Sequence, residues 1–201
     1  MTSMTLAIGR PTLADRIFAR GIATDLVLVG AGAALVAIAA QIAIPLQPVP
    51  LTMQTLAVLL VGSSLGALRG SLSMILYLAL GVMGLPVFSD ATSGFSVVQG
   101  PTGGYIVGFV FAAAFTGWLA QRSWDRKVLS SVLGFLGGTV VTFAIGLPWL
   151  ASVLSLNFEQ TLQAGLYPFI LGGVLKSLLA AGIMTASWSY FSRDEKVTGE
   201  K

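Results

Sequence analysis

The chain has 201 residues, of which 55% are hydrophobic and 9% are charged, and its mean hydropathy is +0.88. Because soluble domains carry about 25% charged residues, this composition excludes a soluble domain and predicts an integral membrane protein. The sequence contains no histidine and no cysteine, which excludes imidazole and thiol catalysis, His/Cys metal sites and disulfides. Its 11 basic residues only slightly exceed the 8 acidic ones and form no run interleaved with aromatics, so no binding to nucleic acid is expected.

The first part of the chain predicts a polar segment followed by a membrane span. Residues 1–25 are expected on the cytoplasmic side, with a short surface helix that begins near Thr12. Residues 26–44 are apolar, and at ~1.5 Å per residue they are long enough to cross the ~30 Å hydrocarbon core of a bilayer. Ala33 and Ala37 lie four residues apart and therefore share one face of this helix. Such small residues favour close packing, either against another helix of the chain or against a separate membrane subunit.

Five further apolar runs predict five further spans, at residues 52–68, 71–85, 104–121, 128–150 and 167–190. A stiff proline-rich loop precedes the first of these runs, and a tight turn at Arg69 and Gly70 is expected to separate the first from the second. Residues 87–103 form a long loop without periodicity, which we expect to fold back over the membrane domain as a lid. A polar tail, residues 191–201, ends the chain.

The placement of charges agrees with this organisation. With both termini inside, ten of the eleven basic residues fall on inner segments, and the three outer loops carry only Asp90 and Glu159. This is the distribution that the positive-inside rule requires. We therefore predict an all-α integral membrane protein. Residues 1–201 would form a single domain with six transmembrane helices and both termini in the cytoplasm, within the lipid bilayer of the plasma membrane.

The eleventh basic residue, Lys176, lies inside the last predicted span, about ten residues or roughly 15 Å from its outer end. A charge at that depth costs at least ~2.5–3.5 kcal/mol on insertion scales. No acidic residue lies within any predicted span, so a counter-charge is expected from a loop acid such as Asp90 or from a bound anion. A lysine that reaches the interface, or one that is held neutral, is the alternative. We favour a ligand site in the outer half of the protein, in which Lys176 binds a carboxylate.

Several small, polar and aromatic residues are candidates to line the same space: Gln54, Thr92, Ser93, Gln99, Thr102, Gly103, Tyr105 and Gly173, with flat apolar surface from Phe88, Trp149, Tyr167 and Phe169. Adjacent glycines at the start of a helix, as in residues 100–105, allow the close approach of either another helix or a ligand. Each aromatic residue could equally belong to the membrane-interface belt or to the core. A pocket with apolar walls and few polar groups suits a small, mostly apolar ligand.

Three stretches resemble the BioY family in their residues, order and spacing: residues 48–56 (PVPLTMQTL), 77–88 (YLALGVMGLPVF) and 100–105 (GPTGGY). BioY proteins are the biotin-binding S-components of energy-coupling-factor (ECF) transporters. The resemblance implies a six-helix S-component fold that captures biotin on the outer side. It also implies transport together with a membrane scaffold subunit and a pair of ATP-hydrolysing subunits. In such families small residues of the first helix contact the scaffold, a pattern that Ala33 and Ala37 match.

The resemblance also implies roles for particular residues. The last helix of the family carries a Pro-Gly-Asp-x-x-Lys motif whose acid and lysine line the biotin site. In this chain Lys176 matches the lysine, whereas Gly173 stands where the family has the acid, and Asp90 is a candidate substitute. The outer loop of the family often reads Gly-Gly-x-Gly-Gly with a polar central residue, a position that Thr92 takes here.

The leading functional hypothesis is therefore biotin uptake by a substrate-capturing membrane subunit. The sequence contains no phosphate-binding loop and no ATPase motif, so ATP hydrolysis would belong to partner subunits. The chain itself is expected to be no enzyme and to need no cofactor or metal. One alternative is an S-component for another vitamin, because the change at Gly173 touches the implied site. Another is a structural membrane subunit without a ligand, in which Lys176 would pair with a loop acid.

Overall fold

The computed structural model of the protein describes residue 6 and residues 10–198, with side chains as far as residue 192. Within this part of the chain there are nine α-helices: α1 (Leu13–Ile17), α2 (Ile22–Ala40), α3 (Gln54–Leu65), α4 (Ala67–Val82), α5 (Phe95–Gln99), α6 (Gly103–Ala120), α7 (Val128–Leu154), α8 (Phe158–Gly165) and α9 (Tyr167–Thr198). Two short antiparallel strands, β1 (Ala43–Ile44) and β2 (Leu51–Thr52), form a hairpin between α2 and α3. The beginning of the predicted N-terminal segment and the end of the predicted tail lie outside the described residues.

Four helices are long and apolar enough to cross a membrane, namely α2, α6, α7 and the Tyr167–Ser192 part of α9. The apolar helices α3 and α4 have only 12 and 16 residues, which makes them about 18 and 24 Å long. Both are shorter than the ~30 Å that a hydrocarbon core requires. The prediction of an all-α protein with membrane-length helices is confirmed, and the six-span topology with cytoplasmic termini stays a prediction.

The break between α3 and α4 lies at Gly66 and not at Arg69 and Gly70, so the predicted turn is wrong. Gly66 has a φ of +87°, a left-handed conformation that glycine adopts without steric cost. Arg69 instead lies in α4 and is only 2% exposed. A charged residue in an apolar sequence suggested an exposed turn, whereas its side chain is buried because carboxylates of two other segments neutralise it.

Other helix ends also differ from the predicted spans. Helix α2 starts at Ile22 and therefore includes Asp25, so one acid does lie within an apolar helix. It ends at Ala40 because the next residues pair with β2 as a strand, with Ala43 opposite Thr52. Helix α9 continues beyond the predicted end at residue 190 as far as Thr198.

A buried ionic cluster joins α1, α2 and α4 at one end of the protein. Its members are Arg69, Asp15 and Asp25: the Arg69 guanidinium lies 2.7 Å from Asp15 and 3.2 Å from Asp25, and the three side chains are at most 3% exposed. Burial acts to raise the pKa of Asp15. The hydrogen bond from the Thr12 N–H and the bonds from Arg69 outweigh it, so this pKa lies below its ordinary value.

Helix α3 connects this ionic cluster to the opposite end of the protein. The Arg69 Nε donates to the carbonyl oxygen of Leu65, the last residue of α3, at 2.9 Å. Gln54, the first residue of α3, is eleven positions away, which corresponds to about 17 Å along the helix axis. The protein therefore has two distinct ends, and the second of them holds the cavity described next.

Candidate ligand-binding site

A cavity opens where β2, α3, α6, α7 and α9 meet. The space between its walls, counted together with the part that opens to the surroundings, is about 580 Å³. Its walls are formed mainly by apolar and aromatic side chains, with a few hydroxyls, one amide and one ammonium: Val49, Pro50, Leu51, Thr52, Gln54, Thr55, Phe88, Ser89, Val97, Thr102, Tyr105, Ile106, Phe109, Thr142, Phe143, Phe169 and Lys176.

Lys176 is the only charged residue in this lining. Its Nζ donates to the carbonyl oxygen of Thr52 and to the hydroxyl of Thr55, the latter at 3.2 Å. Among the ion pairs of the described residues none involves Lys176. A lysine ammonium has three N–H donors, and two of them are used by these neighbours. One donor and the whole positive charge therefore remain available to an anionic group.

Gln54 connects the strand that binds Lys176 to the core behind it. The Thr52 hydroxyl donates to Gln54 Oε1 at 2.8 Å, and Gln54 Nε2 donates to the Tyr77 hydroxyl oxygen at 2.7 Å. Gln54 is 7% exposed and Tyr77 is 1% exposed. Both the oxygen and the nitrogen of the Gln54 amide are therefore hydrogen-bonded. This holds in one arrangement the wall of the cavity in which the Thr52 carbonyl accepts from Lys176.

Aromatic rings form the apolar walls. Phe88 comes from the long loop after α4 and packs edge-on against Tyr77, with the ring centroids 5.5 Å apart. It fits because residue 81 is a glycine, where an added Cβ would lie 2.1 Å from the Phe88 ring. On the other side Tyr105 packs edge-on against Phe143 at 5.9 Å, and its hydroxyl donates to the carbonyl oxygen of Gly165 at 3.0 Å.

The structure brings six of the candidate residues to the cavity: Gln54, Phe88, Thr102, Tyr105, Phe169 and Lys176. The other candidates lie outside its lining: Asp90, Thr92, Ser93, Gln99, Gly103, Trp149, Tyr167 and Gly173. Asp90 and Thr92 are exposed, and Tyr167 is 48% exposed. Gly103 packs against the carbonyl of Val98, and Gly173 faces Thr139 of α7. The long loop contributes Phe88, Ser89, Val97 and Thr102 to the lining, and of these Ser89 and Val97 were not among the candidates.

Asp90 does not supply the expected counter-charge to Lys176. It lies in a turn of the loop with a φ of +55° and is exposed. The lysine instead uses a backbone carbonyl, an acceptor that every residue possesses. No sequence pattern therefore pointed to Thr52, although its place at the end of the proline-rich loop put it near the start of α3.

The two alanines predicted to dock a partner differ in their exposure. Ala33 is 2% exposed and belongs to the protein's own core, whereas Ala37 is partly buried at the edge of that core. The alanines of α2 that do reach the surface are Ala23, Ala31 and Ala34, and the space around Gly30 is open. Docking through the Ala33/Ala37 face would therefore bring a partner only to Ala37, and the assignment stays a prediction.

Comparisons with known proteins bear directly on these features. The sequence model of the BioY family matches residues 9–193. The chain is 34% identical to biotin transporter BioY2 of Lactococcus lactis subsp. cremoris over 155 residues, 77% of this chain and 85% of the relative. It is 37% identical to biotin transporter BioY of Thermotoga maritima over 164 residues, 78% of this chain and 91% of the relative.

The fold has a solved counterpart. It is similar to the crystal structure of the S-component for biotin from an ECF-type ABC transporter, with a TM-score of 0.74 and 24% sequence identity. The match covers 82% of this chain and 90% of that chain. Both of these relatives are biotin transporters and not enzymes. Together with the family match over residues 9–193, these identities show that the chain belongs to the BioY family.

Proposed function

We propose that the protein captures biotin in the cavity beside Lys176 and serves as the substrate-binding subunit of a biotin uptake system. The observation that carries the proposal is the half-buried ammonium, which has one free donor and no carboxylate partner among the ion pairs of the described residues. A buried cation of this kind is stabilised by a ligand anion. The biotin transporters among the relatives support the identity of the ligand.

The chemistry of biotin suits the lining of the cavity. Biotin has one carboxylate, a fused ring system that is largely apolar, and a ureido group that both donates and accepts hydrogen bonds. The lining supplies one ammonium, several aromatic rings, and hydroxyl and amide groups on Gln54, Thr102 and Thr142. A site that pairs one charge with a few directional polar groups on apolar walls is typical of specific binding of a small molecule.

The distribution of positive charge supports an outward-facing cavity. Arg16 and Arg126 pack over the ring of Trp188, twelve residues along α9 from Lys176 and thus about 18 Å away. They lie near the end that is rich in basic residues, the end that the positive-inside rule assigns to the cytoplasm. The proposed arrangement has six spans in the plasma membrane, cytoplasmic termini and a cavity that opens to the outside.

Energy for transport is proposed to come from partner chains. A membrane scaffold subunit would dock on α2, where Ala31, Ala34 and the open backbone at Gly30 permit close helix contact. A pair of ATPase subunits would bind that scaffold on the cytoplasmic side. The remaining apolar surface, which includes Val27 at 70% exposure and Leu129 at 73%, would face lipid.

The direct test is titration of the purified protein with biotin and with biotinamide, which lacks the carboxylate charge. We expect wild type to bind biotin at micromolar concentration or tighter, and biotinamide much more weakly. Lys176→Met should weaken biotin binding on the order of 100-fold, since truncating one partner of a buried charge pair costs about 2–5 kcal/mol. It should also abolish the preference for biotin over biotinamide.

The matched control is Lys127→Met, which removes an exposed cation outside the cavity and should leave the affinity unchanged. Absence of biotin binding by wild type would refute the proposed function. Competition with other vitamins separates biotin from a different vitamin ligand. A purely structural subunit would bind none of them.

A further inference from the structure

Tyr77 lies directly behind two walls of the cavity without lining it. It is 1% exposed and comes from α4, 99 residues before the lysine in sequence. Its hydroxyl oxygen accepts from Gln54 Nε2 at 2.7 Å, and its ring packs edge-on against Phe88. Gln54 and Phe88 both line the cavity. One buried side chain therefore supports a polar wall and an apolar wall at once.

The hydroxyl of Tyr77 is linked to the ammonium of Lys176 through Gln54 and Thr52, by hydrogen bonds that meet at two different groups of Thr52. Gln54 bonds Tyr77 with its nitrogen and the Thr52 hydroxyl with its oxygen, and the carbonyl of Thr52 accepts from Lys176. The same hydroxyl of Thr52 also accepts from the Gln54 backbone N–H at 3.3 Å. The direction of the carbonyl that occupies one donor of the lysine thus depends on the orientation of the Gln54 amide.

We propose that Tyr77 is a positioning residue which, through Gln54 and Thr52, aims the free donor of Lys176 and so makes the site select ligands with a carboxylate. This inference rests on the proposed function of the cavity. Without the Tyr77 hydroxyl, the buried Gln54 N–H loses its acceptor, and a buried unsatisfied group is costly enough to make the amide reorient. Thr52 and the lysine would then lose their fixed arrangement.

Tyr77→Phe isolates this effect from packing, because it keeps the ring against Phe88 and removes only the hydroxyl. We expect biotin affinity to fall about tenfold, the scale of one unsatisfied buried hydrogen bond, with a much smaller change for biotinamide. The ratio of the two affinities is the decisive measurement. A general loss of stability would lower both affinities together and leave their ratio intact.

The control variant is Tyr190→Phe, a tyrosine of α9 that is 65% exposed and should change neither affinity. A second variant, Gln54→Met, removes the side chain that joins Tyr77 to Thr52 and should lower the ratio as Tyr77→Phe does. The double variant should show little further loss, because residues in one network are not additive.

The outcomes separate the inference from the proposed function. If wild type binds biotin and Tyr77→Phe keeps the wild-type preference for biotin over biotinamide, the inference is wrong and the proposed function stands. An equal loss of both affinities also overturns the inference, since it indicates a structural role only. If wild type does not bind biotin, the proposed function fails first.

Discussion

Each end of the protein holds a cation that is shielded from solvent, the fully buried Arg69 and the half-buried Lys176, and among the described residues only one of the two has carboxylate partners. At one end Arg69 is neutralised by Asp15 and Asp25 within 3.2 Å. At the other end Lys176 is bonded to a carbonyl and a hydroxyl, and no ion pair of the described residues includes it. The chain therefore has the means to pair a buried charge and does so where the charge is structural. It leaves the charge open where we propose that a ligand binds.

Arg69→Met tests this contrast with the largest expected effect. It removes the buried cation that Asp15 and Asp25 share, and among the ion pairs of the described residues Asp15 keeps only the more exposed Arg20 at 3.1 Å. Breaking a buried pair in this way costs about 3–5 kcal/mol. We expect the thermal unfolding midpoint in detergent to fall on the order of 10 °C. Lys176→Met, by comparison, removes a charge that has no carboxylate partner and should leave the midpoint unchanged or raise it slightly.

Arg69→Lys is the milder variant if Arg69→Met does not fold. A lysine has no planar fork with which to hold two carboxylates, so an intermediate loss of stability is expected. Biotin affinity of the folded fraction should stay at the wild-type value for both Arg69 variants. The contrast between the ends would be refuted if Lys176→Met destabilised the protein as much as Arg69→Met.

A pair of glycine variants sharpens the comparison at the cavity end. Gly81→Ala places a Cβ 2.1 Å from the Phe88 ring and must displace it, a form of overpacking that costs about 1–3 kcal/mol. We expect biotin affinity to drop about tenfold because Phe88 lines the cavity. Gly182→Ala in α9, where no atom lies within 4 Å of the added Cβ, should not affect binding. Equal affinities of the two variants would show that Phe88 is not a wall of the site.

The smallest predicted effects concern two acids, whose pKa values shift in opposite directions. The pKa of Asp15 is lowered, so its contribution to stability is complete above its unfolded-state pKa and is lost as the pH falls through its folded-state pKa. Burial raises the pKa of Asp125, although Trp188 donates to its Oδ2 at 2.7 Å. Its contribution is therefore present at low pH and is lost as the pH rises through the raised pKa.

Unfolding midpoints measured between pH 3 and pH 7 check these two signs. Asp125→Asn keeps an acceptor for Trp188 and should raise the midpoint at pH 7 by about 3 °C, the shift expected for roughly 1 kcal/mol in a chain of this length. The difference from wild type should vanish toward pH 3. Asp15→Asn should lower the midpoint at pH 7 instead, and a rise there would contradict the role assigned to the ionic cluster.

Much of the fold followed from local patterns. Apolar runs in the sequence overlap α2, α3, α4, α6, α7 and α9, and the motif around residues 100–105 marked the start of α6 within one residue. The fold predictions failed where a contact with residues distant in sequence determines the local structure, as at Arg69. Its burial depends on acids 44 and 54 residues away in sequence, and no local pattern reports such a pairing.

The site was predictable only in part, for the same reason. Lys176 was identified because a charge in an apolar run is visible in the sequence. Gln54 and Tyr105 lie in stretches that resemble the family. The acceptors of the lysine, a backbone carbonyl and a hydroxyl, were not predicted, because any residue can offer the first and many the second. Asp90 and Thr92 were expected at the ligand, but both are exposed, whereas Phe88, also expected, and Ser89 of the same loop line the cavity.

The sequence by itself determined that this is a helical membrane protein of the BioY family with one charge that its own span cannot neutralise. Those properties depend on composition, on the period of apolar residues and on short motifs, all of which are local. Only the tertiary structure decided that Arg69 is paired with carboxylates and that Lys176, among the described residues, is not. That outcome depends on which distant side chains and carbonyls the packed helices bring within a few ångströms of each charge.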